Sequence, residues 1–229
     1  ALDKRIPHSR LVASQVKYLQ KAKTKLPSYY RAQCIILQLA YEQSSSEAAA
    51  ANKSYHGERA IDLTGGLGVD SLYLSHNFTK VIAVKRDPVL AEIARINFGL
   101  LDADNIEVVC SGAEEFLARN LLLKADLVYA DPDRRNAEGK KLVTLSDCSP
   151  DIITLLPVLK QIAPKVVVKL SPLFDVQEVF RIFGENVRTE VVSLDGECKE
   201  VIAEIDSRIE RTLIRATSIS RGSVEYVFD

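Results

Sequence analysis

The stretch Ile61–Asp70, with the sequence IDLTGGLGVD, decides the fold. An apolar, β-rich run ends at Asp62, a glycine-containing turn follows, and a helical pattern begins near Val69. In open parallel sheets, ligands bind at the carboxyl ends of the strands. Glycines there let the backbone approach a ligand, and a helix N-terminus offers free N–H groups. The stretch therefore predicts a ligand-binding turn at the tip of a first strand.

Short β-rich runs alternate with helical patterns on both sides of this turn. Such alternation predicts an α/β fold, a Rossmann-like and mostly parallel sheet with helices on both faces. We expect strands at 59–63, 81–85, 106–110, 127–130 and 166–170, with helices at 69–76, 88–101, 113–122 and 150–162.

The chain divides into three parts by pattern. Residues 1–57 predict a helical N-terminal extension, in which Pro27 ends a first helix and Ser46 caps a later one. Residues 58–185 form the expected ligand-binding core. Residues 186–229 contain strand-like runs with short turns, which predict antiparallel strands that close the sheet or form a small ferredoxin-like segment.

Composition excludes several classes of protein. The chain is 47% hydrophobic, enough for a sizeable core, but no apolar run approaches the roughly 20 residues of a membrane helix. We see no signal peptide, and the four cysteines form no C-x-x-C pair. The three histidines show no metal-ligand spacing. We therefore expect a cytoplasmic location, no membrane association and no metal site; the oligomeric state is not predicted.

The acidic residue before the glycines restricts the ligand class. A nicotinamide cofactor favours G-x-G-x-x-G, and the run from Gly66 to Ser71 lacks the third glycine. A carboxylate here would repel a pyrophosphate but would attract a cation. S-adenosylmethionine (SAM) carries an ammonium and a sulfonium group, so Asp62 is a candidate ligand for the ammonium. The alternative is a tight strand–helix turn with a solvated Asp62.

Several stretches together resemble one superfamily. IDLTGGLGVD resembles motif I of the class I SAM-dependent methyltransferases, and VIAVKRDPVLAEIARINFGLL (81–101) resembles their second strand and following helix. DLVYADPDRR (126–135) resembles their fourth-strand motif. The chain is also similar to a narrower bacterial group, the THUMP-like-domain RNA methyltransferases, through KAKTKLP (21–27), YEQSSSEAAAANKS (41–54), VKLSP (168–172) and ECKEV (197–201). We expect this chain to lack that group's final THUMP-like domain.

The resemblance implies a set of SAM-binding positions and exposes two departures. The second strand of the superfamily usually ends in an acid that binds the ribose, whereas this chain has Lys85, with Asp87 two residues later. A second acid often follows the third strand, where Gly112 stands here. An ammonium near a cationic cofactor is unfavourable. The alternative is thus a nucleic-acid-binding module with a degenerate cofactor site. The implied cofactor-binding residues are Asp62, Thr64, Gly65, Gly66, Gly68, Asp70, Lys85, Asp87, Gly112, Ala113 and Asp131.

The fourth-strand motif implies the catalytic residues. Base-amino methyltransferases carry D-P-P-aromatic at this place, and the run from Asp131 to Arg135 is closer to a D-P-x-R variant. The implied catalytic residues are Asp131, Pro132, Asp133 and Arg134, and we expect Arg134 and Arg135 to bind substrate phosphate. The alternative is a strand-end turn in which the arginines pair with nearby acids. Lys169, at the end of the fifth strand, is expected to face the same pocket.

Charge distribution points to the substrate. Residues 1–31 contain eight lysines and arginines against one aspartate, in a chain of net charge −1. Lys17, Lys21 and Lys25 share one helix face, which favours a phosphate track, and we expect Lys21 and Lys25 to bind substrate. Tyr18, Tyr29 and Tyr30 are candidates for stacking on unpaired bases. The leading hypothesis is a SAM-dependent methyltransferase for a base in tRNA or rRNA. If the basic segment is only a solvated face, a small molecule or a protein is the alternative substrate.

Two further segments have weaker patterns. Residues 42–46 are expected to fold over the cofactor pocket as a lid, with helix capping as the alternative. Residues 197–200 are expected in a turn between strands, where Cys198 has no paired base and is not expected to act as a nucleophile.

Overall fold

A computed structural model describes residues 7–133, 148–184, 186–220 and 222–227. Within these ranges the strands form one nine-stranded sheet, in the order β3-β2-β1-β4-β5-β7-β6-β8-β9. Strands β1 to β5 run parallel, and helices cover them. The predicted Rossmann-like α/β fold is thereby confirmed. The strands are β1 Gly57–Asp62, β2 Phe78–Lys85, β3 Ile106–Cys110, β4 Leu127–Ala130, β5 Lys165–Leu170, β6 Val187–Leu194, β7 Glu197–Asp206, β8 Leu213–Ser218 and β9 Gly222–Val227.

Four of the described helices begin with a polar side chain that caps the first turn. Asp87, Asp151 and Asp175 each accept hydrogen bonds from backbone N–H groups in the first turn of the helix that follows. Ser46 does the same for α4, as predicted. The helices are α1 Ser9–Lys25, α2 Pro27–Arg31, α3 Gln38–Gln43, α4 Glu47–Ala51, α5 Val69–Ser75, α6 Pro88–Leu100, α7 Ala113–Arg119, α8 Ile152–Ile162 and α9 Val176–Phe183.

The strand order determines where the candidate site lies in the sheet. Strand β1 lies between β2 on one side and β4 on the other, so the sheet changes winding direction between β1 and β4. A crevice forms at the carboxyl ends of two such strands. Asp62 ends β1 and Asp131 follows β4, so both candidate residues lie at this crevice.

The N-terminal extension packs into the core. Tyr18, Leu26 and Tyr29 are nearly fully buried and belong to one apolar cluster with Phe98 of α6. The buried Asn97 side chain also exchanges two hydrogen bonds with the backbone of Ile35. The extension is therefore fixed against the face of the sheet that carries α5 and α6.

The C-terminal strands extend the same sheet. Strand β7 pairs antiparallel with both β5 and β6, and β8 pairs antiparallel with β9. The pairing of β6 with β8 is parallel, which departs from the predicted all-antiparallel segment. Helix α9 is also absent from the sequence-based predictions. Among the described residues, none of the helices has the length and apolar character that a membrane crossing requires.

Candidate active site

The glycine turn after β1 has a backbone that glycine alone suits. Gly68 has a φ of +99°, and a Cβ atom at Gly68 would lie 2.7 Å from the Phe98 ring. A Cβ atom at Gly66, where φ is +39°, would approach only a backbone oxygen at 3.7 Å. Glycine at position 68 thus allows Phe98 of α6 to pack against the turn, whereas Gly66 leaves open space at the strand tip.

Asp62 is a buried carboxylate that the turn itself binds. It is 1% exposed, Oδ1 accepts the backbone N–H of Thr64 at 3.0 Å, and Oδ2 accepts the Ser71 hydroxyl at 2.5 Å. Burial raises the pKa of Asp62 to about 6, although the hydrogen bond from Ser71 and the charge of Lys85 oppose the shift. Burial therefore disfavours the ionised form of Asp62 at the tip of β1, and a cation nearby would favour that form.

Lys85 binds the glycine turn. Its side chain is buried, and Nζ donates to the carbonyl oxygens of Gly65 at 2.6 Å and Gly66 at 2.9 Å. Burial lowers the pKa of Lys85 to about 8, against the opposing charge of Asp62. A Cβ atom at Gly65 would lie 2.7 Å from this Nζ, so a side chain at position 65 would displace the Lys85 ammonium. The Lys85 ammonium is therefore directed at the glycine turn, and its effect on the cofactor stays a prediction.

Three other expected cofactor positions lie where helices α6 and α7 begin. Asp87 accepts the N–H groups of Val89 and Leu90, so its carboxylate caps α6. Gly112 precedes α7, and a Cβ atom there would meet only the Glu114 carboxylate, at 3.9 Å. Ala113 is buried in the core.

Asp131 is tied to the glycine turn and to β5. Its backbone N–H donates to the Thr64 hydroxyl at 2.5 Å, which joins the tips of β4 and β1. Its carboxylate accepts Lys169 Nζ at 2.5 Å, and the same Nζ donates to the Ser45 hydroxyl at 3.1 Å. Burial alone would lower the pKa of Lys169, but the charge of Asp131 and more distant acids outweighs it and raises that pKa. Lys169 therefore faces the pocket as an ammonium that holds Asp131 in place.

A chain of polar groups continues from Ser45 into the sheet. The Ser45 hydroxyl donates to Asp70 at 2.9 Å, and Lys53 Nζ pairs with Asp70 at 2.9 Å and with Glu200 at 2.7 Å. Burial raises the pKa of Glu200, whereas Lys53 is the main cause of the lowered pKa of Asp70, where it overcomes burial. Asp70, expected to bind the cofactor, instead pairs with Lys53. Glu200 lies within strand β7 and not in a turn, which corrects the expectation for 197–200.

A cavity of about 660 Å³ opens beside Asp131. Residues 41–49 form one wall of this cavity, and the closure of 42–46 over a cofactor stays a prediction. Lys21 and Lys25 of α1 line the cavity together with Lys169 and Lys199. The extension, β4, β5 and β7 thus build the cavity jointly.

Several predicted residues take other roles or lie outside the described ranges. Tyr18 and Tyr29 are buried in the core and cannot stack on bases, although Tyr30 is partly exposed. Pro132 is buried, and Asp133 exchanges two backbone hydrogen bonds with Ser149. Arg134 and Arg135 lie outside the described residues. In the part of the chain that the structure describes, no group of three His, Cys, Asp or Glu side chains could hold a metal ion.

Curated proteins with sequence similarity to the chain include methyltransferases. No protein-family model matches it. It is 35% identical over 78 residues to ribosomal RNA small subunit methyltransferase J of Bdellovibrio bacteriovorus, covering 32% of this chain and 31% of that protein. It is 31% identical over 98 residues to an uncharacterized RNA methyltransferase of Clostridium acetobutylicum, covering 42% of this chain and 21% of that protein. The chain thus spans less than a third of these curated relatives.

Solved structures with the same architecture cover most of the chain. The crystal structure of a "putative methyltransferase" from Porphyromonas gingivalis W83 superposes with a TM-score of 0.85 at 27% identity, over 99% of this chain and 59% of that one. Precorrin-6y C5,15-methyltransferase from Geobacter metallireducens shares the fold alone, with a TM-score of 0.52 at 15% identity over 70% of this chain and 87% of that one. Together with the strand order and the glycine turn, these likenesses identify the chain as having the class I methyltransferase fold.

Proposed function

We propose that this protein is a SAM-dependent methyltransferase that modifies a base in RNA. The observation that carries the proposal is the position of Asp131. It lies at the tip of β4, is joined to the glycine turn through Thr64, and borders a lysine-lined cavity. A methyl donor at the turn and an acceptor in the cavity would both be adjacent to this carboxylate.

The turn fits SAM in charge and in space. Asp62 is a buried anion suited to the ammonium of the cofactor, and Gly66 and Gly112 leave the tips of β1 and β3 free of side chains. Lys85 Nζ donates to two carbonyl oxygens of the turn, and its charge favours the ionised form of Asp62. When bound, SAM supplies an electrophilic methyl group.

Asp131 would orient the methyl acceptor. One carboxylate oxygen accepts Lys169 Nζ, and the other, which has no hydrogen-bond partner among the described residues, would accept an N–H of the substrate base. Such a hydrogen bond directs the lone pair of the nitrogen toward the methyl group, and orientation of a nucleophile accounts for a large part of this type of catalysis. The base nitrogen would gain the methyl group as the bond between that group and the cofactor sulfur breaks, S-adenosylhomocysteine would be the leaving group, and the proton of the nitrogen would pass by way of Asp131 to solvent.

Two observations support RNA as the substrate. Both curated relatives described above are named RNA methyltransferases, one of them for the small ribosomal subunit RNA. The basic face of α1 also contributes Lys21 and Lys25 to the cavity. An RNA substrate agrees with the cytoplasmic location that the unpaired cysteines favour. Arg134 and Arg135 remain candidates for phosphate contacts on sequence grounds alone.

Two assays test the proposal. Calorimetry with SAM should show binding, and tritiated methyl groups should pass to RNA from a strain that lacks the protein. Absence of SAM binding would instead favour a nucleic-acid-binding module. SAM binding without transfer to any RNA fraction would favour a small molecule or a protein as substrate.

A further inference from the structure

Four lysines converge on the cavity beside Asp131. Lys21 and Lys25 come from α1, Lys169 from β5 and Lys199 from β7. Lys169 pairs with Asp131 at 2.5 Å and Lys199 with Glu197 at 2.6 Å, so the charges left for a ligand are those of Lys21 and Lys25.

The other acids that line the cavity each accept hydrogen bonds or an ion pair from groups of the protein. Glu47 accepts the backbone N–H of Ser28 at 2.8 Å and the Tyr73 hydroxyl at 3.1 Å. Glu200 pairs with Lys53. Glu42, the fourth acid beside Asp131, accepts the Tyr18 hydroxyl at 2.8 Å and a Gln38 N–H at 3.1 Å, and it is close enough for the charge of Lys21 to lower its pKa.

Lys21 and Lys25 have no carboxylate within ion-pair distance among the described residues. Lys25 Nζ donates to the backbone oxygen of Tyr41 at 2.7 Å and lies 4.8 Å from the centre of that ring. Lys21 Nζ lies 5.1 Å from the centre of the Tyr18 ring. Burial, then the charges of Lys169 and Lys199, lower the pKa of Lys25 to about 8, and Glu42 opposes them. An anion in the cavity would relieve this repulsion.

The cavity is larger than a phosphate group requires. Its volume of about 660 Å³ lies within the range of small-molecule sites, roughly 300–1,000 Å³. The cavity walls carry lysines that can bind the phosphate of a nucleotide. They also carry Asp131, which can accept N–H groups of its base.

We infer that this cavity takes one nucleotide of the RNA substrate, with its phosphate at Lys21 and Lys25 and its base edge at Asp131. This inference rests on the proposed function, because it places the modified base in the same cavity. It gives the N-terminal extension a direct part in substrate binding, since both lysines belong to α1.

The test compares each of the four nucleoside 5′-monophosphates with its nucleoside. Affinities are measured by calorimetry or by NMR shifts. The wild-type protein should bind at least one nucleotide about tenfold more tightly than its nucleoside, the scale of a charge-assisted contact. Lys25→Gln should reduce that preference to about threefold or less. Lys23→Gln is the matched control, because Lys23 is exposed on the same helix and does not line the cavity.

Three results would overturn the inference. They are a wild-type protein without phosphate preference, a Lys25→Gln variant that keeps it, and a Lys25→Gln variant that loses SAM affinity instead. The last result would assign the lysines to the carboxylate of the cofactor. A wild-type protein that prefers nucleotides but neither binds SAM nor methylates RNA would contradict the proposed function and leave the phosphate subsite standing.

Discussion

Asp62 connects stability with cofactor binding. Its folded-state pKa of about 6 lies above the ordinary value of 3.8, so the stability that its protonated form contributes is complete below about pH 4 and is lost as the pH rises through 6. Asp62→Asn removes the buried charge, and the amide can still bond to Ser71 and Thr64. At pH 7.5 we expect the free energy of unfolding to rise by roughly 1–3 kcal/mol and SAM binding to weaken by about 1–3 kcal/mol.

Denaturant unfolding and SAM calorimetry on the same variant measure both effects. An Asp62→Asn protein that binds SAM with wild-type affinity would remove Asp62 from the cofactor site. A gain in stability alone would show that the carboxylate is only a strained turn residue.

For Lys85, sequence and structure lead to opposite predictions. Position 85 is where the superfamily places an acid, so sequence alone predicts that Lys85→Asp tightens SAM binding. In the structure this substitution removes the donor to two carbonyl oxygens and places a second carboxylate near Asp62. We expect Lys85→Asp to lower the free energy of unfolding by about 3–5 kcal/mol and to weaken SAM binding.

Lys80 provides the control for that variant, because it lies on the same strand with a half-exposed side chain paired to Glu107. Lys80→Ala should change stability by no more than about 0.5 kcal/mol in the same unfolding experiment. A stable Lys85→Asp protein with tighter SAM binding would contradict the structural role given to Lys85.

At the scale of elements, two glycines near the junction of the glycine turn and α6 should respond oppositely to alanine. Gly68 has a positive φ and contacts Phe98, so Gly68→Ala should destabilise the fold by about 2 kcal/mol or more. Gly99 lies within helix α6 and a Cβ atom there meets nothing within 4 Å. Gly99→Ala should therefore stabilise the fold by roughly 0.5–1 kcal/mol. Thermal unfolding of both variants checks this pair, and equal effects would show that the turn geometry is wrong.

How well each element could be predicted depends on local pattern. Strands β3 and β4 agree with the prediction to the residue, because each is a short β-rich run bounded by polar residues. Helix α9 carries its own signal, an Asp175 cap followed by apolar residues at helical spacing, so local reasoning could have found it. The parallel pairing of β6 with β8 has no local signal, because the sequence of neither strand indicates which strand lies beside it.

The candidate site divides in the same way. The tips at Asp62 and Asp131 could be predicted from sequence, because chain order and the parallel-sheet rule place them together. The ion pairs of Lys53 with Asp70 and Glu200 could not, because these residues come from three distant segments. They meet only when β7 inserts beside β5 and the extension folds over the sheet.

At the scale of the whole molecule, the cavity should depend on pH. Lys25 has a pKa of about 8 in the free protein, where burial, Lys169 and Lys199 lower it against Glu42. A nucleotide phosphate is doubly charged throughout pH 7 to 9, since its second pKa is about 6. The preference for nucleotide over nucleoside should therefore fall as the pH rises from 7 to 9, while Lys25→Gln should show a flat profile. A wild-type preference that rises over this interval would contradict the role of Lys25.

The central claim is that Asp131 orients an RNA base beside a bound cofactor, and Asp131→Ala tests it most directly. The variant should keep SAM affinity and lose methyl transfer to RNA by about a hundredfold or more, because the carboxylate acts on the acceptor. Asp126→Ala is the matched control. Asp126 lies at the opposite end of β4, where it accepts two backbone N–H groups, and its loss should leave turnover per folded molecule unchanged. An Asp131→Ala protein that transfers methyl groups to RNA at the wild-type rate would contradict the account.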